Sequence, residues 1–305
     1  MPSRKMMKRT ILFLFLVVLA IVPLVASARQ LVDQAGRTVT VPERIGRVVS
    51  LAPSLTEIVF ALGREDLLVG TTEYSDTPPE AKRLPRVGSY VRIDVEKVAA
   101  LKPDLCLSIR DGNPLHAVRR IESLGIPVYV VDPHDLAEIM VMINGLGELL
   151  GAEELAAGIT GDMQHRIERV RAKLAGEPAR PAVFFQIDAE PIVSAGRGTF
   201  IHELITAAGG RNLAADAGQA YPKFSWEDVL HFRPEVAIIA SMAGGHTPER
   251  LTAGWRKWPQ VPAVRNGRVH VVEAHLVDRP TPGLVEGLET FARLIHPELF
   301  GGADE

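Results

Sequence analysis

Ile93-Asp94-Val95-Glu96-Lys97-Val98-Ala99-Ala100-Leu101-Lys102-Pro103-Asp104-Leu105 and Phe224-Ser225-Trp226-Glu227-Asp228-Val229-Leu230-His231-Phe232-Arg233-Pro234-Glu235-Val236 stand a constant 131 positions apart. Their Glu, Val, basic-Pro-acidic and terminal apolar positions coincide. A second pair, Val128-Tyr129-Val130-Val131-Asp132 and Val269-His270-Val271-Val272-Glu273, matches at an offset of 141. About ten inserted residues therefore separate the two halves over that interval. A long-period repeat is the signature of a duplicated structural unit, and two related lobes are the economical explanation.

Each half alternates short β-rich runs with helical patterns, which implies βα units and a mainly parallel sheet. The strand candidates are 47–51, 67–71, 105–109 and 128–131 in the first half, then 183–187, 236–240 and 269–272 in the second. A small hairpin is expected across Leu31 to Val41, around Ala35-Gly36. Ser54 followed by Glu57 reads as a capping box opening a helix that stops at Gly63, and helices are also expected over 113–124 and 200–208. Between the halves, 135–150 and 152–175 are helical in composition. The second, at 24 residues, would run about 36 Å, long enough to cross the backs of both lobes, although Gly158 and Gly161 weaken it. A helical bridge of that kind is stiffer than a Gly/Ser linker, so hinge motion should be small. The expected organisation is α/β throughout: a leader at 1–28, one lobe at 29–150, a linking helix at 151–177 and a second lobe at 178–305.

Composition narrows the function. The 305 residues carry 34 Lys+Arg against 37 Asp+Glu, with 6% aromatic residues and one cysteine. The charge gives no reason to hold nucleic acid, and the single Cys106, in an apolar run, reads as a small buried hydrophobe and excludes a disulfide scaffold. Arg4, Lys5, Lys8 and Arg9 precede an uncharged apolar run, 11–25, that ends in Ala26-Ser27-Ala28. Those three parts make a secretory signal peptide with cleavage after Ala28, and the run is too short to span a bilayer. Cleavage removes four basic groups and no acidic ones, so the net −3 of the whole chain becomes −7 (30 basic, 37 acidic) in the exported protein.

Enzyme signatures fail on their own terms. Gly196-Arg197-Gly198 invites a dinucleotide reading, but Ile201 stands where the third glycine belongs. His202-Glu203 begins a zinc-protease motif that Thr206 breaks, leaving a helix-surface pair. There is no Gly-x-Ser-x-Gly elbow and no Walker lysine. His116, His134, His202, His231, His246 and His275 lie near predicted element ends without a local ligand spacing, so no metal site is assigned.

Ligands of open α/β sheets bind beyond the carboxyl ends of the strands, and two facing lobes would make a cleft lined by those loops. Candidate ligand-binding residues on them are Ser54, Tyr74, Tyr90, Arg110, Asp188, Tyr221 and Arg279. Three of the four tyrosines fall here, and a phenol ring suits a large, flat, partly polar ligand. The other reading is that Tyr74, ahead of Pro78-Pro79, and Tyr221, ahead of Pro222, simply pack Pro-rich loops.

Ser50-Leu51-Ala52-Pro53-Ser54-Leu55-Thr56-Glu57, Tyr74-Ser75-Asp76-Thr77-Pro78-Pro79, Leu101-Lys102-Pro103-Asp104-Leu105, Gly112-Asn113 and Leu124-Gly125-Ile126-Pro127-Val128 resemble the periplasmic substrate-binding proteins of ABC importers for cobalamin, iron-siderophores and haem. The resemblance runs from about Arg44 to Leu294. It implies two Rossmann-like lobes joined by one long helix, the class III periplasmic architecture, with slight closure on ligand and no catalysis or resident cofactor. It implies a cleft lined by aromatics, carried here by Tyr74, Tyr90 and Tyr221, while Ile109 and Ile187 stand where cobalamin-binding members would have rings. It also implies docking of one acidic residue from each lobe onto an inner-membrane permease. The matching residues are Glu96 and Glu227, the pair related by the offset of 131; the macrodipole alone would also favour a Glu early in each helix. The expected ligand is cobalamin or a related corrinoid, with an iron-siderophore or haem as the alternative inside the family. A secreted α/β enzyme and a free metal-ion receptor are the alternatives outside it. A periplasmic monomer is expected.

Overall fold

The structure, a computed structural model, describes residues 28–189, 191–240 and 248–301. The leader, apart from Ala28, and His246 lie outside the described residues.

The first half contains β1 (Ala28–Val32), β2 (Thr38–Pro42), β3 (Val48–Ser50), α1 (Pro53–Ala61), β4 (Leu68–Gly70), β5 (Gly88–Ser89), β6 (Arg92–Ile93), α2 (Val95–Ala100), β7 (Leu105–Ile109), α3 (Leu115–Ser123) and β8 (Val128–Val131). Two helices follow, α4 (Leu136–Leu150) and α5 (Glu153–Lys173). The second half contains β9 (Ala182–Gln186), β10 (Asp188–Ala189), β11 (Ile192–Val193), α6 (Phe200–Ala207), β12 (Arg211–Asn212), β13 (Lys223–Phe224), α7 (Trp226–Phe232), β14 (Val236–Ile239), α8 (Pro248–Arg256), α9 (Pro262–Arg265), β15 (Val269–Val271), α10 (Leu284–Ile295) and α11 (Pro297–Phe300).

Each half builds a four-stranded parallel sheet, in the orders β4-β3-β7-β8 and β12-β9-β14-β15. The pairing reproduces both sequence offsets. Val48 pairs with Leu105 and Val183 with Val236, which places Leu105 and Val236, 131 apart, at equivalent positions. Cys106 pairs with Val128 and Ala237 with Val269, which carries the offset of 141. The repeat is therefore a repeat of strand register, and a slip by one residue in either lobe would turn its apolar set to the wrong face.

Alternation along the strands assigns each face. Val48, Leu105, Leu107 and Val131 of the first sheet and Val183, Phe185, Val236 and Ile238 of the second belong to one continuous apolar cluster, together with residues of α1, α4, α5, α6 and α10. The opposite faces are separate: Val49, Cys106, Val128 and Val130 pack beneath α3 in one lobe, and Phe184, Ala237 and Ile239 pack on α7 and α8 in the other. One core thus runs through both lobes. The linking helix α5 packs on both α4 and α10, and its 21 residues span about 32 Å. A Cβ at Gly158 or Gly161 would meet nothing within 4 Å, so both glycines face outward.

The start of α1 departs from the capping-box expectation. Pro53 is the first helical residue, Ala52 is the N-cap, and no side chain caps the helix. Proline lacks the N–H that a first-turn residue leaves unpaired and has its φ already set, so it takes the first position and moves Ser54 inside the helix. Glu57 is left free for another partner. The helix ends as expected, with Gly63 in the left-handed region at φ +62°.

Candidate ligand cleft

In the first lobe a network of buried polar side chains holds the loops beyond the strand ends. Thr56 Oγ1 donates to Ser50 Oγ at 2.9 Å and stands 3.1 Å from Ser75 Oγ, which is itself 2.9 Å from Thr72 Oγ1. Arg86 closes this loop from below, donating to Thr71 Oγ1 (2.9 Å), Thr72 O (2.6 Å), Ser75 O (3.0 Å) and Asp76 Oδ1 (3.0 Å). Tyr74, at the centre of the loop, cannot retreat into the fold and is 58% exposed.

Asn113 organises the neighbouring loops. Its Oδ1 accepts from Ser108 Oγ and the Ile109 amide, both at 2.9 Å, and its Nδ2 donates to Leu51 O and Tyr90 O, both at 2.8 Å. One buried amide thereby ties together the ends of β3 and β7 and the β5–β6 turn. Gly112, at φ +122°, lies under the Tyr90 ring, and a Cβ there would fall 2.8 Å from Cε2. Tyr90 is held flat on the backbone with 37% of its surface exposed. Val91, beside Tyr90, and Leu115, the first residue of α3, are exposed as well.

The second lobe presents Tyr221 by other means. The Ser194 amide donates to Pro222 O at 3.0 Å and the Gly196 amide to Ala220 O at 2.8 Å, so the tyrosine sits on a segment paired along the backbone. A Cβ at Gly196 would fall 2.3 Å from Gln219 O. The Gly196-Arg197-Gly198 run is thus explained by close passage of the chain. Tyr221 remains 49% exposed, yet its phenol is pushed above the ordinary value, by desolvation first and then by the Asp111 carboxylate and Tyr90 hydroxyl of the other lobe. Asp111 and Tyr90 are thus the first-lobe groups whose charge reaches Tyr221. Asp188 lies on β10, whose backbone pairs with β11.

Ser54 is buried in the first turn of α1. Arg110, at the end of β7, pairs with Asp132 at 2.9 Å and keeps most of its surface exposed. Arg279 reaches out of its lobe and donates to Glu57 Oε1 of α1 at 2.5 Å, with Asp278 Oδ1 at 3.6 Å from its Nε. Burial raises the Glu57 carboxyl against the opposing pull of Arg279, and it lifts Asp278 to about 6. His202 and Glu203 are not the surface pair expected of them. His202 Nδ1 lies 3.1 Å from Asn212 Nδ2, and Glu203 Oε2 accepts the Leu136 amide of α4 at 2.7 Å. Ile109 is a core residue and Ile187 packs against the same core, so neither serves as a cleft ring.

Glu96 and Glu227 are both exposed and both occupy the second position of a helix, after Asp94 in α2 and Ser225 in α7. Burial drives the Cys106 thiol up to about 12, so it carries no nucleophilic chemistry. Among the described residues no group of three or more His, Cys, Asp or Glu could hold a metal ion, and no helix is long and apolar enough to cross a membrane.

Comparison with known proteins agrees with this geometry. The periplasmic binding protein family matches residues 48–276. A vitamin B12-binding protein of Vibrio cholerae serotype O1 is 34% identical over 247 residues, 80% of this chain and 86% of that protein. The crystal structure of the periplasmic vitamin B12 binding protein BtuF of Vibrio cholerae superposes with a TM-score of 0.73 at 31% identity, covering 85% of this chain and 99% of that one. A periplasmic heme binding protein from Pseudomonas aeruginosa superposes with a TM-score of 0.74 at 28% identity, covering 83% and 94%. The duplicated parallel sheets, the helical bridge and these matches together place the chain in the periplasmic binding protein family, as a binding protein and not an enzyme.

Proposed function

We propose that the protein captures a corrinoid, cobalamin foremost, in the cleft between its lobes and delivers it to an ABC permease. The observation that carries this reading is the set of three part-exposed tyrosines, Tyr74 and Tyr90 from one lobe and Tyr221 from the other. Each offers a large apolar face with a polar tip, and each is held in place by the packing of its own loop. The vitamin B12-binding relatives support the same ligand class.

Haem is the competing ligand, because a heme binding protein superposes equally well. A tyrosine that ligates ferric haem does so as phenolate. In the unliganded protein desolvation, Asp111 and Tyr90 all oppose ionisation of Tyr221, whereas a bound ferric ion would itself favour the phenolate, so the haemin arm of the calorimetry below decides between the two ligands. Ser54, Arg110, Asp188 and Arg279 complete the proposed binding set at the strand and helix ends. Glu96 and Glu227 project from equivalent helix starts and serve as the permease contacts, where exposed charges contribute orientation and association rate more than affinity. The protein works as a periplasmic monomer after removal of residues 1–28.

Calorimetry with cyanocobalamin, haemin and a ferric hydroxamate tests the reading. Cyanocobalamin is expected to bind tightest, and Tyr74→Ala and Tyr221→Ala each to weaken it about tenfold. Tight haemin binding with no response to cyanocobalamin would reassign the ligand. Glu96→Ala with Glu227→Ala should spare affinity and impair uptake; normal uptake would remove the docking role.

A further inference from the structure

Beside the shared apolar core, two polar contacts between the lobes are equivalent under the internal repeat. α1 follows β3 and α6 follows β9, the paired first strands of the two sheets. Aligned at an offset of 146, Leu55-Thr56-Glu57-Ile58-Val59 falls on Ile201-His202-Glu203-Leu204-Ile205, and Gly63 falls on Gly209. Both glycines are left-handed, at φ +62° and +80°. Glu57 and Glu203 are thus the same residue of the repeat, each on the first helix of its lobe.

Each crosses to the same part of the opposite lobe, the segment after the last strand. Glu57 takes the Arg279 guanidinium, between β15 and α10. Glu203 takes the Leu136 amide, the first of α4 after β8. That amide is one of the donors a helix start leaves unpaired, since the Asp135 cap accepts from Glu138 instead. A carboxylate withdrawn from water needs a partner. Glu57 keeps only 16% of its side chain exposed, and Glu203 is also largely covered. In both cases the partner comes from the other lobe.

We infer that Glu57 and Glu203 are a matched pair of interlobe struts that together set the width of the cleft in the unliganded protein. Each resists a different sense of motion, because the first pair joins α1 to the last segment of the second lobe and the second joins α6 to the last segment of the first. Opening the cleft requires release of both. The inference concerns the empty receptor and stands whichever chelate the cleft takes.

The test places spin labels at Lys82→Cys and Lys257→Cys, exposed positions on the two lobes, with buried Cys106 left in place. The parent should give one narrow interlobe distance distribution. Glu57→Ala combined with Glu203→Ala should broaden it and add a longer component, while Glu203→Gln, which keeps an acceptor for the Leu136 amide, should leave it narrow. A superimposable distribution in the double variant, with its melting point lowered, would reduce both residues to local packing and overturn the inference. Should the double variant not fold, amide exchange at Leu136 decides the matter. Glu57→Ala alone, acting through the opposite strut, should accelerate it severalfold, and unchanged exchange there would refute the pairing.

Discussion

The two lobes share a register and differ in how they hold their binding loops. In the first, buried hydroxyls, Arg86 and Asn113 form a side-chain network beneath Tyr74 and Tyr90. In the second, Tyr221 rides on backbone pairing past Gly196, and the outer face is packed with rings. Among the described residues every ring pair lies in the second half, from Phe184–Phe224 to Trp226–Trp258. Parallel strands buried on both faces allow little drift, because each side chain has a neighbour on the sheet and another on a helix. Loops beyond the strand ends carry no such obligation. Duplication has therefore preserved the strands while the two walls of the cleft have been secured by unlike means.

The sharpest way to break this contrast is to remove one device from each lobe. Asn113→Ala deletes four hydrogen bonds and leaves Leu51 O, Tyr90 O and the Ile109 amide without that partner in a buried setting. Urea denaturation should report a loss of about 3 to 5 kcal/mol, with ligand affinity falling because Tyr90 is released. A loss under about 1 kcal/mol would mean that water replaces the side chain and that the network is not what holds the wall. Gly196→Val is the counterpart. Its Cβ would stand 2.3 Å from Gln219 O, so the 219–221 segment must move away, for about 2 to 3 kcal/mol. Here affinity should fall with little change at Tyr90, which fluorescence quenching of the separate tyrosine variants can distinguish.

The same contrast explains what could be read before the structure. The two α/β lobes and their mainly parallel sheets were legible because apolar runs are a local property of strands and the offsets of 131 and 141 record how those strands recur along the chain. That Tyr74, Tyr90 and Tyr221 lie on loops was legible because the loops follow from the strands; their role in ligand capture is part of the proposal. What was hidden depends on contacts between distant residues. Arg86 looks like any charged residue until it is found under the 71–76 loop. The equivalence of Glu57 and Glu203 is masked by the β10–β11 hairpin, which lengthens the spacing from 135 at the first strands to 146 at the helices. Ser54 was misplaced as a cap because Pro53 competes for the helix start.

The interlobe carboxyls offer a smaller and pH-dependent probe. Burial lifts Glu203 from an ordinary 4.5 to about 7, with Asp135 and Glu138 of α4 adding to the rise and the Leu136 amide opposing it. Asp278 is lifted to about 6 by burial, with Glu57 adding and Arg279 opposing. A raised carboxyl binds its proton more tightly in the folded state. Its stabilising contribution is complete below the unfolded value near pH 4 and is lost as pH rises through 6 and 7. Glu203→Gln keeps the hydrogen-bond acceptor and cannot ionise, so it should exceed the parent by about 2 kcal/mol at pH 8 and match it near pH 4. Parallel stability curves from pH 4 to 8 would show that Glu203 ionises freely in the fold, and would leave Asp278 as the source of any slope.

The gentlest probe lies on the element that belongs to neither lobe. Gly158 and Gly161 of α5 have helical backbone and open space where a Cβ would go. Replacing either by Ala should stabilise the protein by about 0.5 to 1 kcal/mol. The size of the gain matters less than where it is felt. Met163, Ile167 and Val170 of α5 lie in the core that also contains Val48 and Val183. If that core makes the two lobes one cooperative unit, Gly158→Ala together with Gly161→Ala raises a single calorimetric transition by a few degrees without splitting it. If the lobes melt separately, α5 stays attached to one of them and only that transition moves. A single shifted transition would make the shared core, and not the similarity of the two sheets, what joins the lobes into one folding unit, leaving the Glu57 and Glu203 contacts to set the width of the cleft between walls that differ.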